Sequence, residues 1–219
     1  MSASLNVYEK RPKDLGYLFV LGGPGGSGSS TIAISLAKKY RLSRVYGGAI
    51  MRSIAKSKGY KKYVDFIESD EFNSEQRKFD HLVDRKLIAM ALKPNILIES
   101  KIVGPLLVKE GIESTVKIWL DCSIETRVYR KLFSKGLISE GESLDKKSTL
   151  YIETRNDLMI RYSNDKNRYQ KIYGISYSEP ELYYDIILKT DNQTPSQTFN
   201  LLLKKIEDGG YLKKHQSNK

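Results

Sequence analysis

A glycine-rich segment that directly follows a short apolar run constrains the fold of this chain more than any other feature. Residues 17–21 read YLFVL, as expected of a buried strand, and residues 23–31 read GPGGSGSST. Glycines let a backbone wrap closely around an anion, and the free N–H groups at a helix start attract negative charge. The segment therefore predicts a strand, a phosphate-binding loop and a helix in succession.

The spacing matches the nucleotide-binding pattern G-x-x-x-x-G-K-[ST] at every position except one. Gly23 and Gly28 are the two fixed glycines, Ser30 supplies the hydroxyl that faces Mg²⁺, and Ser29 stands where the pattern has a lysine. A flexible turn would explain the glycines alone, but the helical period over residues 29–40 supports the motif. The residues expected to bind the phosphates of ATP are Gly23, Gly25, Gly26, Ser27, Gly28, Ser29, Ser30 and Thr31.

The charge balance suits a ligand that carries phosphate. The 219-residue chain has 37 Lys and Arg against 26 Asp and Glu, a formal net charge of +11. Nucleic acid is the natural rival partner, but no RNA- or DNA-binding motif is present, so most of these lysines are interpreted as a solvated surface. Cys122 is the single cysteine, which excludes an intrachain disulfide and a cysteine-based zinc site.

The length and the apolar pattern indicate a single globular domain. No apolar stretch approaches the roughly 20 residues needed to span a bilayer, and the polar residues 1–14 do not resemble a signal peptide. We therefore expect a cytoplasmic monomer without membrane contact.

Strand and helix signals alternate along the chain, which predicts an α/β fold with a mostly parallel sheet. Strands are expected at residues 44–46, 95–99, 115–121 and 182–188, in addition to the first. Further helices are expected at residues 49–58, 60–68 and 149–170, and after caps at Asn73, Ser123 and Thr194. Residues 134–148 show no periodicity, which indicates a loop or lid.

Residues 46–55, YGGAIMRSIA, resemble the nucleoside-monophosphate-binding helix of the short, archaeal-type cytidylate kinases, where the pattern Y-x-G-x-x-x-R-x-x-A recurs. Other segments similar to that family follow in the same order: DRK at 84–86, NILIE at 95–99, VKIWLD at 116–121, NRY at 167–169, YGI at 173–175 and YDII at 184–187. The similarity extends over residues 18–206, nearly the whole chain.

The resemblance implies the P-loop nucleoside monophosphate kinase fold, with a mostly parallel central sheet, a helical segment that binds the monophosphate and a mobile lid. One domain over residues 1–219 would then consist of a core (15–46, 95–134 and 182–208), a monophosphate-binding segment (47–93) and a lid (135–170). Family members commonly have a lysine-free loop, G-S-G-T-T-T, so Ser29 is consistent with a working variant.

The activity that the resemblance implies is the ATP- and Mg²⁺-dependent phosphorylation of CMP or dCMP to the diphosphate. Phosphoryl transfer requires positioning, exclusion of water and cations around the γ-phosphoryl group rather than covalent chemistry by the protein. Two alternatives remain open. One is a kinase for another nucleoside monophosphate or small acceptor, and the other is a catalytically degenerate P-loop regulator that binds nucleotides.

The resemblance also implies which side chains act. Arginines at matching places near the lid clamp the transferring phosphoryl group in the family, and here they are Arg130, Arg155 and Arg161. Arg127 and Arg168 also flank the lid and could equally be surface residues. Glu99, at the end of a strand, could bind Mg²⁺ through water alongside Ser30, or could instead form a salt bridge to a lysine.

The acceptor side is expected to involve Gly47, Gly48, Arg52, Asp84 and Lys101. Arg52 lies one helical turn after the glycine pair, where it could hold the acceptor's phosphate. Asp84 matches a family position, although a structural capping role is equally compatible with it. The family usually has E-G-R where this chain has Glu99-Ser100-Lys101, and a lysine keeps the charge of that arginine but lacks its bidentate geometry.

Overall fold

The computed structural model describes residues 11–213, except for the side chains of Lys13 and Val64. The expectation for the polar residues 1–10 lies outside this range, as do residues 214–219. Between residues 11 and 213, no helix combines the length and the apolar character that crossing a membrane requires.

The central sheet consists of five parallel strands. They are β1 (Leu18–Gly22), β2 (Ser43–Tyr46), β3 (Ile96–Glu99), β4 (Val116–Asp121) and β5 (Ile186–Lys189), in the spatial order β2-β3-β1-β4-β5. Leu21 of β1 lies opposite Glu99 on one side and Ile118 on the other. The loop after β1 therefore leaves the middle of the sheet at its carboxyl edge, where ligands of open α/β sheets bind.

The helices connect these strands and cover both faces of the sheet. Within the described residues they are α1 (Ser29–Tyr40), α2 (Gly47–Ser57), α3 (Tyr63–Ile67), α4 (Asp70–Ala91), α5 (Val103–Lys109), α6 (Ile124–Ser134), α7 (Thr149–Tyr173) and α8 (Pro195–Asp208). The predicted Thr194 capping box is confirmed, with both reciprocal hydrogen bonds to Gln197 formed. The predicted Ser123 cap is confirmed as well, because its hydroxyl accepts from the Thr126 amide.

Two boundary predictions are wrong. Helix α4 begins at Asp70 rather than after Asn73, because the Ser69 hydroxyl accepts from the Phe72 amide at 3.2 Å and forms the cap one turn earlier. Strand β5 begins at Ile186 rather than near residue 182, because Pro180 starts a 3₁₀ turn that ends at Leu182. Helix α5, with seven residues, was not predicted, because the residue that precedes it, Ile102, provides no side-chain cap.

Two apolar layers enclose the sheet because successive side chains of a strand point to opposite faces. Leu18 and Val20 pack with α2, α4 and α5 on one face, whereas Phe19 and Leu21 pack with α1 and α8 on the other. A separate small cluster joins α6 to α7 through Val128, Leu132, Tyr151 and Leu158. Helices α6 and α7 therefore form a pair with its own apolar contact beside the sheet.

Candidate active site

The glycine-rich loop, residues 23–28, curves from the end of β1 to the start of α1. Gly23 has φ 154°, and a Cβ there would lie 2.4 Å from the Leu120 carbonyl oxygen, so only glycine fits. The Ser27 amide donates to the Pro24 carbonyl at 3.1 Å, which closes the turn. The amide of Ile32 makes the first bond of α1, to the Gly28 carbonyl at 3.2 Å. The amides of Ser29, Ser30 and Thr31 precede this bond and are available to an anion.

Glu99, at the carboxyl end of β3, lies against the start of α1. Ser30 Oγ donates to Glu99 Oε1 at 2.5 Å, and Ser29 Oγ donates to the same oxygen at 3.2 Å. The other oxygen, Oε2, forms an ion pair with Arg44 of β2, not with a lysine. A hydroxyl and a carboxylate in contact are hard oxygen donors of the kind that Mg²⁺ prefers, so Ser30 and Glu99 fit this ion chemically.

Arg130 connects the glycine-rich loop to the end of β5. Its Nη1 donates to the Ser27 carbonyl at 3.0 Å and to Thr190 Oγ1 at 2.9 Å, while Nη2 donates to the Thr190 carbonyl at 2.6 Å. These acceptors fix the guanidinium beside Gly28. Arg130 is thus a structural support of the loop as well as a positive charge near it.

Arg127 is buried beneath the tip of the loop, in contrast to the surface location that the sequence allowed. Its Nε donates to the Gly25 carbonyl at 2.7 Å, and Nη2 donates to the Leu158 carbonyl of α7 at 3.4 Å. The guanidinium also lies 5.8 Å from the centre of the Tyr162 ring. Arg127 therefore links the loop tip to α7.

Two cavities meet at the loop. A cleft of about 1050 Å³ extends from loop residues 26–31 along α6 to the segment after β5, and Tyr129, Arg130 and Thr194 contribute to its walls. A smaller cavity of about 80 Å³ lies at the loop tip, between Pro24 and α7. Gly26 and Lys131 line both cavities. A ligand in the cleft and a ligand in the small cavity would therefore approach one another at the loop.

The small cavity is rich in positive charge. Four cationic side chains line it: Lys101, Arg127, Lys131 and Arg161. Burial lowers the pKa of Lys131, and the nearby charge of Arg161 lowers it further. Asp165 is the carboxylate in the lining, and it pairs with Lys101 at 2.5 Å. An anion the size of a phosphoryl group is the complementary occupant, because it would relieve the repulsion among these cations.

The predicted clamp arginines do not share one location. Arg130 lies at the large cleft and Arg161 at the small cavity, where it also pairs with Asp157 at 3.0 Å. Arg155, half-buried on α7, lines neither cavity, and its side chain forms no hydrogen bond or ion pair with a residue in the described range 11–213. In this arrangement Arg130 and Arg161 are close to the loop and Arg155 is not.

The acceptor-side residues begin where β2 ends. Gly47 packs against Leu87 and Ser100, and a Cβ on Gly48 would lie 2.7 Å from the Tyr46 ring, so the glycine pair lets α2 start close to that ring. Arg52 is exposed, and its guanidinium lies 5.2 Å from the centre of the same ring. The positive charges of Arg52, Arg161 and Arg168 all oppose the upward pKa shift that burial gives Tyr63. Cations from α2 and α7 therefore act electrostatically on one tyrosine of α3.

Asp84 lies apart from both cavities, in the contact between α4 and α7. It is buried and accepts a hydrogen bond from the Tyr173 hydroxyl at 2.5 Å. Burial raises its pKa to about 6, and the neighbouring charge of Asp80 adds to the rise, while the Tyr173 hydrogen bond opposes it. Arg168 pairs with Asp80 at 3.5 Å and with Asp165 at 2.9 Å. Ionic contacts from Asp80 through Arg168 and Asp165 thus connect the α4–α7 contact to Lys101 in the small cavity.

Three side chains of the site were missed by the sequence reasoning. Arg44 alternates with Tyr46 on β2, Lys131 follows Arg127 by four residues, and Asp165 precedes Arg168 by three. The spacings of three and four residues on α6 and α7 indicate that the two residues of each pair share a helix face. Spacing alone does not reveal which helix face contacts the glycine-rich loop.

A parallel sheet with a glycine-rich loop at its switch point, beside a carboxylate and a cluster of cations, defines a P-loop kinase. Solved structures share this fold. An uncharacterized protein from Eubacterium ventriosum superposes with a TM-score of 0.60 at 14% identity, over 87% of this chain and 98% of that one. Shikimate kinase from Bacteroides thetaiotaomicron gives a TM-score of 0.55 at 14% identity, over 87% and 98%. At this identity the likeness concerns the fold alone.

Sequence comparisons identify the family. The profile of the AAA domain matches residues 21–151. The cytidylate kinase of Methanococcus aeolicus is 30% identical over 84% of this chain and 94% of its own length. That of Methanocaldococcus jannaschii is 28% identical over 87% and 98%. The chain belongs to the archaeal cytidylate kinase family within the P-loop kinases, and it is a nucleoside monophosphate kinase. The predicted fold class, resemblance and enzyme class are confirmed.

Proposed function

We propose that this enzyme transfers the γ-phosphoryl group of ATP to CMP or dCMP in an Mg²⁺-dependent reaction. The observation that carries the proposal is the meeting of the large cleft and the small cationic cavity at Gly26 and Lys131. The cleft has room for the donor nucleotide, and the cavity suits a phosphoryl group. The names of the relatives support cytidine as the acceptor base.

The donor phosphates would lie on the amides of the glycine-rich loop and the first turn of α1. The residues assigned to them are Gly23, Gly25, Gly26, Ser27, Gly28, Ser29, Ser30 and Thr31. Ser30 and Glu99 would hold Mg²⁺, Glu99 through a bound water, and the ion neutralises phosphate charge when bound. Ser29 adds a neutral hydroxyl where other loops have a lysine, so the positive charge must come from elsewhere.

That charge is available at the loop tip. We assign the clamp on the transferring phosphoryl group to Arg130, Arg155 and Arg161, together with the buried Arg127 and Lys131. Fixed cations in a confined site stabilise the charge that spreads over the phosphoryl oxygens in the transition state. Arg155 would join them when the lid, residues 135–170, closes over the donor.

The acceptor would bind between the monophosphate-binding segment, residues 47–93, and α7. We assign its phosphate to Arg52 and Lys101, with Gly47 and Gly48 allowing a close approach, and we keep Asp84 as a candidate for contact with the nucleoside. Lys101 is a compact charge already paired with Asp165, so an incoming phosphate would compete with that carboxylate.

A coupled assay of ADP release with CMP, dCMP, UMP, AMP and GMP tests the proposal. A pocket that hydrogen-bonds a base discriminates strongly, because a wrong base leaves buried polar groups unpaired. We expect kcat/KM for CMP or dCMP to exceed the others by more than ~10-fold. Reactions without acceptor measure background ATP hydrolysis. AMP turnover equal to or above that of CMP would exclude the cytidylate assignment, and ADP release with none of the five would favour the degenerate regulator.

A further inference from the structure

The proposed reaction assigns no role to Arg44, although its charged side chain lies close to the site. It lies on β2, and its guanidinium forms an ion pair with Glu99 of β3, with Nε donating to Oε2 at 3.1 Å. The Glu99 side chain is only 4% exposed, whereas that of Arg44 is 26% exposed. The arginine therefore supplies the positive charge for a carboxylate that water barely reaches.

The two oxygens of Glu99 have separate partners. Oε2 is held by Arg44, and Oε1 faces the hydroxyls of Ser30 at 2.5 Å and Ser29 at 3.2 Å. Nε and Nη2 of Arg44 both donate to Oε2, so the guanidinium balances the charge and holds this one oxygen. With Oε2 held by Arg44, Oε1 is the oxygen that faces the start of α1.

We propose that Arg44 is a positioning residue that holds Glu99 in the orientation required for binding the magnesium ion of the nucleotide complex. The inference rests on the proposed role of Ser30 and Glu99 toward that ion. Residues that hydrogen-bond to metal-binding groups typically contribute 10- to 100-fold to metal affinity. Without Arg44, the buried carboxylate would lose its counter-charge and the contact that fixes its rotation.

A competing explanation lies on the same strand. The Arg44 guanidinium lies 5.4 Å from the centre of the Tyr46 ring, and that of Arg52 lies 5.2 Å from it. Arg44 could therefore act on the acceptor side by supporting Tyr46 and Arg52. An experiment without acceptor nucleotide separates the two roles.

The experiment measures ADP binding by calorimetry with and without Mg²⁺, for the wild type, Arg44→Met and Arg44→Lys. The quantity of interest is the gain in ADP affinity that Mg²⁺ provides. We expect Arg44→Met to reduce this gain by ~10-fold or more while ADP binding without Mg²⁺ stays unchanged. Arg44→Lys should restore part of the gain, because it keeps the charge but not the planar fork. The matched control is Arg85→Met, which removes an exposed arginine from α4.

Three outcomes would contradict the inference. In the first, Mg²⁺ raises the ADP affinity of Arg44→Met as much as that of the wild type, and an unchanged melting temperature shows that the variant is folded. Arg44 then does not position Glu99. An equal loss of ADP affinity with and without Mg²⁺ indicates a purely structural role. If the wild type itself shows no Mg²⁺ gain, the magnesium assignment of Ser30 and Glu99 fails together with the inference. Should Arg44→Met not fold, Arg44→Lys and Arg44→Gln provide the same comparison.

Discussion

The two ends of the glycine-rich loop have different electrostatic surroundings. At the tip, Pro24 to Gly26 border a cavity with four cations, Lys101, Arg127, Lys131 and Arg161. At the helix end, Ser29 and Ser30 contact the carboxylate of Glu99, which is paired with Arg44, and Arg130 lies beside Gly28. The two ends are only a few residues apart along the chain.

This difference shows how a loop can lack its lysine. In the common pattern one flexible lysine brings positive charge to the β- and γ-phosphates. In our proposal this charge comes instead from the side chains of the β3–α5 loop, α6 and α7 that line the cavity at the tip. The helix end is free to provide oxygen ligands instead.

The strongest test of the helix end is Glu99→Gln. The amide is nearly isosteric but carries no charge, so it cannot neutralise a cation or pair with Arg44. We expect kcat to fall by ~100-fold or more, with a higher Mg²⁺ concentration needed for half-maximal rate. A steady-state titration of Mg²⁺ measures both quantities. Wild-type kinetics in this variant would remove the carboxylate from the site.

The corresponding test of the loop tip is Arg161→Met. Loss of one cation near the transferring group should lower kcat by ~100-fold with little change in ATP affinity, because the contact strengthens in the transition state. Arg155→Met is the matched comparison on the same helix. Since Arg155 lines neither cavity, its effect should be smaller and should arise only through lid closure. A reversed ranking would move the catalytic cations away from the tip.

Ser29→Lys restores the missing lysine and should have a modest effect. The Ser29 hydroxyl lies 3.2 Å from Glu99 Oε1, so a lysine there would pair with that carboxylate rather than only with phosphate. We expect ADP affinity to change by less than ~10-fold and kcat not to rise, because added ground-state binding does not lower the chemical barrier. Calorimetry and the coupled assay measure the two effects. A large rise in kcat would show that the tip cations do not replace the lysine.

The smallest effect concerns the stability of the α4–α7 contact, where the buried carboxylate of Asp84 forms no ion pair with any cation of residues 11–213. The pKa of Asp84 is about 6 in the folded state against 3.8 for the free group. The folded state therefore binds the proton more tightly, and the contribution of Asp84 to stability falls as pH rises from about 4 to 6.

Asp84→Asn removes this dependence. The free energy of unfolding of the variant relative to the wild type should increase by about 2 kcal/mol between pH 4 and pH 7. Denaturant unfolding at the two pH values measures the difference. A difference that does not vary with pH would mean that Asp84 is not desolvated in solution.

Most of the fold could be predicted from local signals. The strand before the loop, the helix over residues 29–40 and the capped starts of α6 and α8 each follow from apolar period or side-chain caps. The signals failed where two residues competed for one role, as Ser69 and Asn73 did for the start of α4, and where α5 began without any cap. Local chemistry determines whether an element forms more reliably than where it begins.

The candidate site was predictable only in part. Ser30 belongs to the glycine-rich motif and Glu99 ends a predicted strand, so local patterns were enough to name both as candidate site residues. The contacts of Arg127 and Arg44 are with partners distant in sequence: Arg127 Nε donates to the Gly25 carbonyl across 102 residues, and Arg44 donates to Glu99 across 55. A helix period shows that a residue shares a face with another but not what that face contacts.

The sequence by itself determined that this chain folds around a phosphate-binding loop and that it is a relative of the archaeal cytidylate kinases. Both conclusions depend on short segments whose residue types and spacing are sufficient to identify a motif, such as residues 23–31 and 46–55. Only the tertiary structure decided which end of the loop borders the cluster of cations and which end contacts a carboxylate. Charges from β2, β3, α6 and α7 meet there because the parallel sheet brings the carboxyl ends of its strands to one edge.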